Sequence, residues 1–387
     1  MAGTICIHGH FYQPSRENPW TGVIEREPSA TPWHDWNDRI TDECYRPNTA
    51  ARILDGKGLI HKITNTYSRI SYDFGPTLLS WLERERSPVY EDILRADALA
   101  QERFSRHGSA LAHPYHHLIM PLLSRADKET EVRWGIRDFE DRFGRYPEGM
   151  WLPEMAVDGE TLDVLADHGI LFTLLSPHQG CRVRHVRDEH WTDTPGGNID
   201  TTVPYLCRLP SGKAITVFFH HASLSSEVAF GDLLRNGDRF FDRLLSLSRD
   251  AGLLHFATDG ETFGHHRPFG EMALGWCLDR IESSHPGTLT IYGEYLANHA
   301  PEREVGIVER TSWSCPHGIR RWDEGCTCES GRHKGWSHEW RGPLRTAVHT
   351  LSLTLAELFG REAGAFFADP WSARDDSIRI IRDSSPG

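Results

Sequence analysis

Seven short β-rich runs along the chain each end in a polar, chemically capable residue, and helix-like segments separate them. The runs are Thr4–His10, Lys62–Tyr67, Ala110–His113, Gly149–Glu154, Ile170–Ser176, Ala214–His221 and Leu253–Asp259. Several are continuous apolar stretches, the pattern of parallel strands covered on both faces. The intervening segments carry apolar residues at helical spacing: Pro76–Glu85, Glu91–Arg106, Lys128–Phe143 and Asp158–His168. Strand then helix, repeated, predicts an α/β fold with right-handed crossovers. Seven units whose chemistry collects at one end of the strands favour a (β/α)7 barrel over an open sheet, because a barrel aims every strand end into one mouth.

Two interruptions, Ser15–Pro47 and His178–Pro210, are rich in Pro, Gly, Trp and charge and read as ordered loops over a functional face. After Leu296 the strand signal fades, and Arg341–Phe359 carries Leu344, Val348, Leu351, Leu355 and Leu358 at helical spacing. The expected organisation is a barrel domain over residues 1–300 and a smaller helical C-terminal segment over 301–387, packed beside it, with Arg382–Gly387 fraying.

Bulk properties exclude some classes. A net charge of −13, with no Lys/Arg block, argues against a nucleic-acid partner. No apolar run approaches the roughly 20 residues that a membrane helix needs. No signal-peptide pattern is visible, and eight scattered Cys do not make a dense disulfide framework, so the cytoplasm is the expected compartment. The 13 Trp are numerous for 387 residues and offer faces that stack on sugar rings, although most Trp are core.

Two of the strand ends carry acids, Trp151-Leu152-Pro153-Glu154 and Thr258-Asp259-Gly260-Glu261. Carboxylates from two units of one barrel meeting in its mouth are what glycosidic-bond cleavage requires. The first strand ends His8-Gly9-His10-Phe11-Tyr12-Gln13-Pro14; strand alternation puts His8 and His10 on one face, and Gln13 follows in the loop. His220-His221 ends the sixth run, and His265-His266 follows Asp259.

Together these motifs resemble glycoside hydrolase family 57, a family of α-amylases, 4-α-glucanotransferases, branching enzymes and amylopullulanases on a (β/α)7 barrel. The family's opening His-x-His-Gln-Pro is similar to His8–Pro14, here with two extra aromatic residues before Gln13. Its Asp-Gly-Glu-x-Phe-Gly motif resembles Asp259–Gly264, while its second motif is only loosely echoed by His113-Pro114-Tyr115-His116-His117. The resemblance spans most of residues 1–300. It implies Glu154 as nucleophile and Asp259 as acid/base of a retaining α-glucan-active hydrolase or transglycosylase that needs no catalytic cofactor. His8, His10, Gln13, Trp151 (as a stacking wall), His220, Glu261 and His265 would then contact the carbohydrate. In such a mechanism the two carboxyl groups stand about 5–5.5 Å apart, and the acid carries a raised pKa.

Two other functions fit some of the same residues. A metal-dependent polysaccharide deacetylase-like hydrolase could hold a cation on His8, His10 and Asp259. A carbohydrate-binding protein with a decayed site is the other, though both acids are present. Outside the barrel, Cys315, His317, Cys326 and Cys328 make a three-thiol, one-imidazole set of the structural zinc type. A two-cysteine clip or free thiols fit the same spacing.

Overall fold

The parallel core is built around the strand Thr4–Phe11, which is buried along nearly its whole length. It pairs on one side with Leu253–Asp259, in the register Thr4↔Leu253 through His10↔Asp259, and on the other with Ser71–Phe74, where His10 faces Asp73. Ser71–Phe74 in turn pairs with Ala110–Leu111. The structure, a computed structural model, describes residues 3–249, 251–326, 328 and 337–382. Of the run expected to fray, residues 383–387 lie outside them.

Single parallel bridges, Ala112↔Met150 and Gly149↔Phe172, carry the order onward to Phe172–Leu175, which pairs with Ala214–Phe219. A second, six-stranded sheet starts from these two strands and continues through Tyr205–Arg208, Arg303–Ile307, Gly180–His185 and Thr192–Asp193. Between Ala214–Phe219 and Leu253–Asp259 the backbone link among the described residues is one hydrogen bond, from the His221 N–H just past the former strand to the His255 carbonyl at 2.8 Å, and the Phe218 ring meets that of His255 edge-on. The fold is therefore a mixed α/β arrangement of two main sheets, and among the described residues no continuous ladder closes a barrel.

Strand alternation sorts the central residues into two cores. Ile5 and Ile7 pack with Leu254 and Phe256 under the helices Gly237–Ser248 and Gly270–Ser284. Cys6, Leu253 and Ala257 face the other core with Tyr72, Phe218 and Tyr292. His8 and His10 share the face of Cys6, so the same alternation that buries Ile5 and Ile7 outward turns both imidazoles inward.

Several helices begin where their sequence signals place them. Pro76–Glu85 has Pro at its first position, and its Gly75 N–H is held by the Phe11 carbonyl. Arg125–Phe143 starts at a Ser124 cap that accepts from the Asp127 amide and stops at Gly144, whose φ of +66° suits the left-handed turn. Asp158 caps Gly159–Asp167 by accepting from the Thr161 amide at 2.8 Å, which leaves Glu154 free of that task.

The structure corrects three expectations. The run Lys62–Tyr67 is not a core strand: Ile60–Thr64 forms a hairpin with Ala51–Leu54, and the parallel strand is Ser71–Phe74. Ile63 is exposed whereas Tyr72 is fully buried, so the apolar character of the first run marks a hairpin flank. The segment expected to be helical over 301–387 contains the strand Arg303–Ile307, paired on both sides. The helix Arg341–Ala363 is not packed beside the sheets along its apolar stripe: Leu344, Val348, Leu351, Leu355 and Leu358 are all exposed. It is Trp134 and Arg374 that tie the following residues to the helix Arg125–Phe143, through the Asp375 carbonyl and the Asp127 carboxylate. No helix among the described residues is long and apolar enough to cross a membrane.

The short strand Ala110–Leu111 is fixed by a buried ion pair. Asp97 accepts from Arg145 through both carboxylate oxygens at 2.8 Å and also takes the Ala110 amide, while Arg145 donates to the Ala110 carbonyl. Asp97→Ala leaves a buried guanidinium and a strand amide unpaired, so unfolding in urea is expected to show a loss of about 3–5 kcal/mol. A loss below about 1 kcal/mol would contradict that role.

Candidate active site

Glu154 and Asp259 line one cavity of about 800 Å³, together with His10, Gln13, His220, Glu261 and His265. Asp259 reaches it from the end of its strand, and the pairing His10↔Asp259 places the imidazole beside it. Glu154 arrives differently. The segment before it makes only the two isolated bridges, and Pro153 opens a single turn in which Glu154 has φ +59° and ψ +15°. Met155 follows at φ +48°. Two consecutive non-glycine residues in the left-handed region are costly, and such strain is found where a side chain must be aimed.

The two acids have unlike surroundings. The Glu154 Oε2 accepts from Trp313 Nε1 at 3.3 Å and from the Ser314 hydroxyl, and the Trp313 amide donates to the Glu154 carbonyl at 3.0 Å. Asp259 opens into the cavity but is surrounded by protein; burial first, and the Glu154 charge second, raise its pKa against the influence of His10. Glu261 is pushed up to about 8, chiefly by burial and then by Asp259. Its Oε1 is already held by the Tyr45 hydroxyl at 2.7 Å and the Tyr12 amide at 3.1 Å.

Behind the cavity wall lies a carboxylate bridge absent from the sequence reading. Asp73 is fully buried and meets His10 Nδ1 at 2.8 Å through one oxygen and His8 Nε2 at 3.1 Å through the other. An ionised carboxylate only accepts, so each ring presents an N–H to it. That leaves the unprotonated His10 Nε2 as a hydrogen-bond acceptor. Burial holds the His10 pKa down to about 4 and raises that of Asp73 to about 6. His117 and His220, also on the cavity, are lowered to about 4 and about 3 by burial. The histidine wall is therefore neutral at neutral pH and presents hydrogen-bonding groups without charge.

Two expected contacts are corrected. His8 does not line the cavity: Ser71 and Asp73 engage both ring nitrogens, and the ring stacks on Trp151 at 4.8 Å. With both nitrogens taken it cannot serve as a cation ligand either. Trp151 is completely buried, sandwiched against His8 and His10, and Trp313 lies edge-on to it at 5.3 Å. The indole on the cavity wall is that of Trp313. The histidine nitrogens that do gather are those of His10, His113 and His117, within 4.8 Å of one another. Gln13 is oriented by Arg16 at 2.8 Å and His265 by Glu43, both from the loop expected over the functional face.

Asp73, Trp313 and Ser314 escaped the sequence reading. The first could have been found in Ile70-Ser71-Tyr72-Asp73-Phe74, a short alternating run that stops at Gly75-Pro76. The other two carry no local signal.

The Glycosyl hydrolase family 57 model matches residues 35–308. The chain belongs to that family. A second model, Domain of unknown function (DUF3536), matches residues 336–387. The 4-alpha-glucanotransferase of Thermococcus litoralis is 24% identical over 262 residues, covering 64% of this chain and 36% of the relative. The Alpha-amylase of Pyrococcus horikoshii is 24% identical over 262 residues, covering 64% and 37%. The chain thus spans little more than a third of the length of these curated relatives. Among solved structures, an exo-type maltose-forming amylase from Pyrococcus sp. ST04 superposes with a TM-score of 0.72 at 15% identity, over 99% of this chain and 67% of that one. A family 57 branching enzyme from Pyrococcus horikoshii gives 0.56 at 18% identity, over 83% and 75%. At these identities the two structures show a shared fold alone.

The neutral histidines make stability sensitive to acid. His255, under the cavity, is satisfied as a neutral ring by the Tyr292 hydroxyl at 2.9 Å and the Thr201 carbonyl at 3.1 Å, and burial lowers its pKa to about 3. Between that value and the ordinary 6.5 the unfolded chain takes up the proton and the folded one does not. The stabilisation is complete above pH 6.5 and drains away as pH falls toward 3. At pH 5 this ring alone contributes a slope of about 1.4 kcal/mol per pH unit. Urea unfolding of His255→Gln between about pH 4 and 6 should show a slope flatter by about that amount; an unchanged slope would contradict the assignment.

Proposed function

We propose that the chain carries a retaining glycosidase or transglycosylase site for α-linked glucans, with Glu154 as nucleophile and Asp259 as acid/base. The observation that carries this reading is the pair of carboxyl groups on one cavity, one held by two donors on a single oxygen and the other raised in pKa by burial. A raised pKa suits the acid role. Trp313 and Ser314 both donate to Oε2 of Glu154, which leaves Oε1 for the substrate. Burial and the Glu154 charge favour a protonated Asp259.

In the first step Glu154 Oε1 bonds to the anomeric carbon while the glycosidic bond breaks and the Asp259 proton passes to the departing oxygen. In the second, the Asp259 carboxylate takes a proton from water or a sugar hydroxyl, whose oxygen displaces Glu154 and restores the starting anomer. The two routes differ only in the acceptor. His10, His220, Gln13 and His265 would contact hydroxyls, the neutral rings of His10 and His220 suiting an uncharged ligand, and Trp313 would supply the aromatic wall. The Glu261 carboxyl would hold Tyr45 and the Tyr12 backbone in place from the cavity floor.

We read the strand order as a (β/α)7 barrel whose weak seam is the His221–His255 hydrogen bond. The isolated bridges at Met150 and Gly149 support this reading, since they insert the Glu154 segment as one of seven staves. The relatives named as amylase and glucanotransferase support an α-glucan as the substrate class.

The test is a panel of α-glucans and aryl α-glucosides with product anomers followed by NMR. The wild-type chain should give retained products. Glu154→Gln should lower kcat by roughly a thousandfold or more with the fold intact. Asp259→Asn should impair poor leaving groups far more than activated aryl glycosides. Inverted products, or equal losses on both substrate types for Asp259→Asn, would overturn the assignment.

A further inference from the structure

The loop that delivers Trp313 and Ser314 to Glu154 is tied to the rest of the chain at its start, by Thr311 to Val157 and by the Ser312 carbonyl, which accepts from His178 Nε2 at 3.0 Å. From Arg310 to Gly325 it forms no regular helix or strand beyond the single bridge Val157↔Thr311. Ser312, Cys315 and Ile319 are its buried residues, and backbone bonds such as Ile319 N–H to the Arg310 carbonyl close its turns. Gly318, at φ +71°, sits where a Cβ would meet the Arg310 carbonyl at 2.4 Å.

Immediately after Ser314 the same loop gathers four soft donors. The Cys315 sulfur lies 3.6 Å from that of Cys328 and 3.9 Å from that of Cys326, and His317 Nδ1 lies 3.3 Å from Cys328. All four donor atoms fall within 4.8 Å of one another. Zinc–thiolate and zinc–imidazole bonds of about 2.3 and 2.0–2.1 Å, arranged as a tetrahedron, require sulfur–sulfur edges of about 3.8 Å and sulfur–nitrogen edges of about 3.5 Å. Those three edges match that tetrahedron, and the other three lie within 4.8 Å. They are far longer than the roughly 2.05 Å of a disulfide. Three thiols and one imidazole is also a structural zinc set without an open coordination position.

We infer that Cys315, His317, Cys326 and Cys328 bind one zinc ion, and that this ion clamps the Trp313–Ser314 arm onto the carboxylate of Glu154. The second half rests on the reading of Glu154 given above; the first does not. Cys315 is bonded directly to Ser314, so fixing its sulfur fixes the hydroxyl that donates to Oε2. Serine and indole are thereby positioning residues for the carboxylate, and the metal acts through them without touching substrate.

The experiment uses the full chain as purified. Elemental analysis should return one zinc per chain, and Cys326→Ser and Cys328→Ser should each fall below a tenth of that. Cobalt exchanged into the metal-stripped protein should give the thiolate charge-transfer and d–d bands of a tetrahedral site. A metal-free protein whose thiols all react, or a mapped disulfide among Cys315, Cys326 and Cys328, would overturn the site. For the clamp, hydrogen exchange of segment 308–319 should accelerate at least tenfold on zinc removal, with the strands Thr4–Phe11 and Leu253–Asp259 unchanged. Unchanged exchange in 308–319 would overturn it. On an α-glucan, zinc removal and Ser314→Ala should each lower kcat about tenfold, and only the first should be restored by zinc. A full complement of zinc in a protein inactive on every α-glucan would refute the proposed activity and leave the metal site standing.

Discussion

The registry of one strand organises the molecule. Thr4–Phe11 lies between Leu253–Asp259 and Ser71–Phe74, so His10 has Asp259 on one side and Asp73 on the other. A slip of one residue would exchange the faces of the strand, sending His8 and His10 under the helices and Ile7 into the cavity. Asp73 makes that slip costly because one fully buried carboxylate bridges both imidazoles. The bridge also orients the rings, so that a neutral His10 offers an acceptor to the cavity. The geometry of the first strand thus sets the chemical character of the wall that both acids face.

Glu154 is placed by a different device. Its segment contributes two bridges and then a strained turn, and the carboxylate is held from above by a loop 159 residues away in sequence. One acid rests on a rigid parallel strand and the other on contacts that a mobile loop would lose. The proposed zinc site would stiffen that loop, since Cys315 and His317, two of its four gathered donors, belong to it.

Much of this was legible in the residues. The unbroken apolar run Leu253–Ala257 leading to Asp259 has the length and flanks of a buried strand, and the observed strand has the same bounds as the expected one. Pro76 and the Leu78, Leu79, Leu82 spacing likewise mark a helix at both ends. The strand Ser71–Phe74 was lost because four residues, two of them polar, carry too little pattern against the richer β character of Ile60–Tyr67. Trp151 illustrates a different limit. An indole next to a strand-end acid can face the cavity or brace the histidines; here Trp151 braces them and Trp313 lines the wall. Contacts such as Ser314 with Glu154 have no local signature at all. The apolar stripe of Arg341–Ala363 was visible, yet its exposure was not, since periodicity reveals a face without revealing what covers it.

The central claim is that Glu154 becomes covalently attached to the sugar in the course of turnover. Incubating the full chain with a fluorinated α-glucosyl fluoride that forms the glycosyl-enzyme faster than it releases it, followed by digestion and mass spectrometry, tests this directly. The account predicts one sugar per chain on the peptide containing Glu154. A label on any other peptide, or turnover with inversion and no adduct, would contradict it.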